Sequence, residues 1–89
     1  MRTYRKGLNE EVRRGFDWED KLLEGATIQS SSWLVDDGLT IGDSVFGDDY
    51  TDIDISGGTE NTTYRLTNTV TTSEGLTYER SFKIQVVER

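Results

Sequence analysis

The side chains available for chemistry in this sequence are carboxylates, hydroxyls, the cations of lysine and arginine, and tyrosine phenols, because the chain contains neither histidine nor cysteine. That composition excludes zinc sites built on imidazole or thiolate, thiol chemistry and any Ser-His-Asp triad. The densest candidate group is acidic: Asp36, Asp37, Asp43, Asp48, Asp49, Asp52 and Asp54. Oxygen ligands gathered on loops suit calcium, but this spacing does not fit an EF-hand loop. From Tyr50 to Ile55 the residues alternate, with Ile53 and Ile55 on one face and Tyr50, Asp52 and Asp54 on the other. The aspartates of this stretch therefore read as solvent-facing charges that discourage edge-to-edge sheet pairing. Paired carboxylates could serve glycoside hydrolysis only with a cleft and a raised pKa on one of them, and a small acidic domain offers neither. No catalytic residue, metal or cofactor is expected.

Binding is the chemistry left. Among residues 1–14, Arg2, Arg5, Lys6, Arg13 and Arg14 face only Glu10 and Glu11, whereas the whole chain carries a net charge of −7. A basic arm over residues 1–10, on a body over residues 11–89, can present a charge that the body cannot. Tyr4 and Leu8 give the arm apolar contacts. Partner-binding residues are therefore expected at Arg2, Tyr4, Arg5, Lys6, Leu8, Arg13 and Arg14. Tyr50 joins them, because it shares the outward face of Asp52. Trp18 and Trp33 could be platforms for stacking sugars, but both are expected in the core, and Tyr78 has core parity. The acidic balance argues against nucleic acid as a partner. No apolar run approaches the roughly 20 residues that span a bilayer, and the basic start is followed by no apolar segment, so a signal peptide is not expected.

The elements that must position these residues are strands. A chain of 89 residues makes one domain with one modest core. Residues 26–35 are rich in β-formers and end at Asp36-Asp37-Gly38. Leu39–Ile41 and Ser44–Phe46 are short apolar pieces separated by Gly42-Asp43, Tyr50–Ile55 stops at Gly57-Gly58, and residues 62–72 and 76–88 are the longest strand candidates. Turn signals every 8–12 residues indicate a sandwich or barrel. The last two strands select their own register: pairing Leu66 with Phe82 also sets Tyr64 opposite Ile84 and Val70 opposite Tyr78, and a slip of one residue would turn the apolar faces apart. Asn68 and Arg80 then oppose each other on the inner side, near an end of the core where Arg80 can reach solvent or a carboxylate. Upstream, Asn9 to Gly15 reads as a short capped helix, although Val12 and Phe16 could equally face the core from an edge strand. Asp17 to Gly25 reads as a single helical turn capped by Asp17.

The stretch from Gly57 to Tyr64, a Gly-Thr turn leading to tyrosine and alternating apolar residues, resembles the corner before the penultimate strand of fibronectin type III and bacterial immunoglobulin-like domains. That resemblance makes Tyr64 a corner tyrosine, with its ring in the core and its hydroxyl on upstream backbone. Together with Asp17-Trp18, Leu22, Gly25–Ile28, Ser30–Trp33, Thr72–Thr77 and Arg80–Ile84, it is similar to a group of small immunoglobulin-like virion proteins of tailed bacteriophages. The likeness spans residues 12–89, and near its start the chain departs in having no proline and in placing Gly15-Phe16 at an aromatic step. It implies an immunoglobulin-like antiparallel β-sandwich of about seven strands, with Trp18, Trp33, Tyr64, Leu66, Val70, Phe82 and Ile84 as structural residues. It also implies a non-enzymatic virion component assembled in the bacterial host cytoplasm. Such a protein would be a capsid decoration or a head-to-tail neck part docking in several copies on major capsid, neck or tail proteins, with homo-oligomers possible. The alternative is a surface-displayed module that binds a receptor or carbohydrate.

Overall fold

The computed structural model describes residues 1–22 and 25–88. Leu23 and Glu24, expected in the turn that ends at Gly25, and Arg89 lie outside the described residues. The described residues form seven strands: β1 (Arg2–Gly7), β2 (Val12–Asp17), β3 (Ile28–Val35), β4 (Leu39–Phe46), β5 (Tyr50–Gly57), β6 (Thr63–Thr72) and β7 (Thr77–Val87), with one 3-10 turn at Glu19–Lys21. They build two sheets, of order β1-β7-β6-β3 and β2-β5-β4. Seven strands in two sheets are compatible with a β-sandwich.

The β6–β7 pairing has the register that its side-chain pattern selects: Leu66 opposes Phe82, Tyr64 opposes Ile84 and Val70 opposes Tyr78. Its loop closes as the residue types require. Gly75 takes φ +79°, a left-handed conformation that costs glycine little, and the Thr72 hydroxyl accepts the N–H groups of Glu74 and Leu76 at 3.3 Å each. The two apolar pieces after Gly38 are one strand, β4, whose register shifts between Ile41 and Ser44 so that Gly42-Asp43 forms an irregularity against β5.

Of the two readings of Asn9–Gly15 the edge strand holds: Val12–Asp17 is β2, antiparallel to β5, with Val12 and Phe16 packed on the core. Two expectations are corrected. Asp52 and Asp54 do not guard an edge, because β5 is the central strand of its sheet. Finally, residues 1–10 are not an arm separate from the body. Arg2–Gly7 is an edge strand, β1, and runs parallel to β7 from Arg2 opposite Phe82 to Gly7 opposite Val87. The physical reason is that β7 has a free edge and β1 carries inward groups that can be satisfied there. The Tyr4 ring meets Phe82 edge-on at 5.6 Å, and Leu8 continues the contact by donating its N–H to the Val87 carbonyl at 2.9 Å.

Between the sheets lie two apolar clusters. The larger holds Leu39, Ile53, Ile55, Tyr64, Leu66, Phe82, Ile84 and Val86; the smaller holds Trp18, Ile28 and Val70. Phe16 touches both clusters. Each fully buried aliphatic or aromatic side chain here contributes about 1.5–3 kcal/mol of transfer free energy. Trp33 packs on the larger cluster from a half-buried position, with its ring stacked on Phe16 at 6.0 Å.

Candidate interaction surfaces

The residues expected to meet a partner do not form one patch. Lys6 is wholly buried, and its ammonium donates to the carbonyls of Gly7 (2.8 Å), Leu8 (3.3 Å) and Gly57 (2.8 Å). A buried charge is tolerated only when its donors are used, and here they tie β1 to the end of β5. Lys6 is therefore a structural residue and is not presented to a partner. Tyr4, Leu8 and Arg14 are half-buried at the same margin of the sandwich. The Tyr4 ring has the Arg14 guanidinium 4.7 Å from its centroid and that of Arg2 at 5.1 Å, a cation–π arrangement that holds the first strands of the two sheets together.

Arg2, Arg5, Arg13 and Tyr50 remain accessible; Arg13 and Tyr50 share the outer face of the three-stranded sheet, whereas Arg2 and Arg5 belong to the other sheet. Arg13 points outward from β2 and grips Asp54 of β5 through Nε at 2.6 Å and Nη2 at 3.3 Å. The bond to Asp54 raises the Arg13 pKa above its ordinary value, and the nearby charges of Asp52 and Asp43 add to the effect. In turn, the hydrogen bond from Arg13 holds the Asp54 carboxyl below the usual carboxylate range. Tyr50 is 44% exposed. It borders a shallow depression lined by Gly15, Phe16, Asp17, Asp49 and Asp52, where the absence of a side chain at Gly15 makes room for the Thr51 carbonyl and the Asp52 carboxylate. The outer face of the three-stranded sheet is thus acidic, with Arg13 ringed by carboxylates. A second open depression, lined by Asp17, Glu19, Asp20 and Arg80, is organised by the Arg80–Asp20 ion pair at 3.0 Å. Arg80 sits over the Trp18 ring at 4.9 Å, so it reaches a carboxylate from the end of the core.

The outer face of the four-stranded sheet differs. Its central strands present threonine, serine, Gln85 and Glu79, and Arg65 of β6 lies directly opposite Lys83 of β7. Neither residue was among the expected partner-binding set. The β6–β7 register contains the signal: if Leu66 and Phe82 point inward together, Arg65 and Lys83 must point outward together.

Among the described residues, no group of three or more acidic side chains could hold a metal ion, and no helix is long and apolar enough to cross a membrane. The accessible surface consists of sheet faces and shallow depressions bearing charges, hydroxyls and a few exposed apolar side chains, which suits protein–protein contact. A family model described as Gp77, podophage GP4 fiber-tail adaptor protein gp77, matches residues 6–85. No curated protein matches the chain.

Proposed function

The chain belongs to the podophage GP4 fiber-tail adaptor gp77 family, and from that premise we propose that it is a non-enzymatic virion protein that joins a fibre to the phage tail. The observation that carries this reading is the extent of the match, which takes in every strand from the end of β1 to nearly the end of β7. The structure is in keeping with it, since beyond its sheet faces the domain offers open depressions at Tyr50 and at Arg80 and exposed loop and edge residues for contact with other proteins. Docking would be multivalent: several copies around the tail, each with a modest interface, add their affinities through effective concentration. The accessible residues Arg2, Arg5, Arg13 and Tyr50 are candidate contacts. A tail–fibre position also replaces the capsid-decoration and neck placements as the favoured one.

The test is a density map of the intact particle together with particles that lack this protein. The expected result is density for the sandwich between tail and fibre, and loss of fibres when it is absent. Density on the capsid or at the neck, with fibres retained, would overturn the tail assignment. A glycan array tests the module alternative, for which the exposed Tyr50 beside its depression is the one favourable feature.

A further inference from the structure

The two outer faces of the sandwich carry opposite charge. On the four-stranded sheet, Arg65 opposes Lys83, and Arg5 lies one step further along β1, opposite Gln85. All three are exposed. The ion pairs among the described residues are Arg13–Asp54 and Arg80–Asp20, so none neutralises this triangle. Asp36, at the β3 end of the row, uses a carboxylate oxygen on the Arg65 backbone N–H at 2.9 Å. Like charges directly opposite each other on a sheet are destabilising. A chain with 17 acidic residues and 10 basic ones nonetheless gathers three cations outside any ion pair on one face, against Glu79 further along the outward row of β7, opposite Thr69.

The other sheet bears the complement. Asp54 lies opposite Arg13, Asp52 opposite Gly15 and Asp17 opposite Tyr50 on one outward row, and the irregularity in β4 sets exposed Asp43 against Asp54, so Arg13 is outnumbered by carboxylates. Each face also exposes an aliphatic side chain: Leu34 on the basic face, opposite Thr67 and 75% exposed, and Val45 on the acidic face, opposite Asp52 and 48% exposed. Charges that orient a contact, beside apolar groups that give it affinity, are the composition of a protein interface.

The geometry points to a front-to-back contact between copies of this chain, in which the Arg5–Arg65–Lys83 face of one copy seats on the Asp43–Asp52–Asp54 face of the next. Because the two surfaces differ, the contact is heterologous and propagates around a ring or along a stack; it is not a closed two-fold pair. This inference rests on the adaptor reading only for the presence of several copies side by side. It is read on the isolated protein, whereas the adaptor reading is read on particles, so failure of one is distinguishable from failure of the other.

The experiment is sedimentation equilibrium of the full chain at about 10 mM and about 1 M salt, where the Debye length falls from about 30 Å to about 3 Å. The wild type is expected to associate at low salt and to weaken at least ~10-fold at high salt. Arg65→Glu with Lys83→Glu makes both faces acidic, and Asp43→Lys with Asp52→Lys makes both basic; each double variant should sediment as a monomer. Mixing the two variants should restore association, because each then supplies the face that the other lacks. Four results would overturn the proposal: a wild type that stays monomeric at low salt, association indifferent to salt, either double variant alone associating as the wild type does, or a mixture that stays monomeric. The substituted positions lie on outward faces, melting curves report whether the variants fold, and the wild-type salt dependence needs no variant at all.

Discussion

The indole N–H of Trp18 donates to the side-chain oxygen of Asn68 at 3.1 Å in a site sealed from solvent. The same oxygen accepts the Thr51 hydroxyl at 2.7 Å, and the Asn68 amide donates to the Ser31 hydroxyl and the Ser32 carbonyl at 2.9 Å each. One buried amide, its two acceptor and two donor positions all used, thus links β3, β5, β6 and the segment that follows β2.

Asn68→Ala removes every bond of the amide and leaves the buried Trp18 indole N–H and Thr51 hydroxyl with only each other. The expected loss is about 2–4 kcal/mol of stability, measured by chemical denaturation. A midpoint unchanged from wild type would show that the network is dispensable.

Tyr64 closes the turn before β6. Its ring is buried and its hydroxyl accepts the Thr59 backbone N–H at 2.8 Å; hydrogen bonding from Thr59 holds the phenol below the ordinary tyrosine range against the opposing effect of burial. Tyr64→Phe keeps the ring and removes the acceptor. The expected fall in melting temperature is roughly 4–8 °C, and a melt that superimposes on the wild type would remove the corner role.

What the sequence disclosed about the fold follows from where its pattern is binary. In β6 and β7 apolar and polar residues alternate over long runs, so strand, face and register were all readable. β1 was not. Its inward residues are Tyr4 and the buried Lys6, and a lysine at an inward position reads as surface. Its partner β7 lies at the far end of the chain and pairs in parallel, an arrangement that leaves no hairpin signal. β2 was ambiguous because Glu10-Glu11 before Arg13-Arg14 also satisfies the charge pattern of a capped helix. The basic triangle could be found from the register of Leu66 and Phe82, but only by following the outward residues as carefully as the inward ones. That Arg5 joins it depended on β1, which the pattern concealed.

The Arg13–Asp54 pair gives stability a pH dependence of known sign. The folded Asp54 carboxyl titrates below its unfolded value of about 3.9. Its contribution is therefore fully present above that value and is lost as pH falls through the folded pKa. The Arg13 side chain is largely exposed, so the effect is small, a few degrees of melting temperature at most. Asp54→Asn is expected to melt slightly below wild type at neutral pH, and the gap should close as the pH is lowered past about 4. A gap that is constant across that range would show that the carboxylate charge is not what Arg13 contributes.

Removing residues 1–10 tests whether the first strand belongs to the domain or merely lies on it. Deletion strips β1 from β7, uncovers the edge of Phe82 that Tyr4 covers, and takes the Lys6 ammonium away from the Gly57 carbonyl at the end of β5. The truncated chain should lose most of its cooperative melting transition, because a domain of this size has only about 4–13 kcal/mol to lose. Lys6→Met separates the causes. It keeps the buried stem and most of its volume while leaving the carbonyls of Gly7, Leu8 and Gly57 without their shared donor, at an expected cost of about 1–3 kcal/mol. If truncation unfolds the protein and Lys6→Met costs little, the strand acts through its pairing and through Tyr4. If both changes leave the melt unchanged, β1 adds nothing to the domain, and its basic residues become available as a separate docking arm.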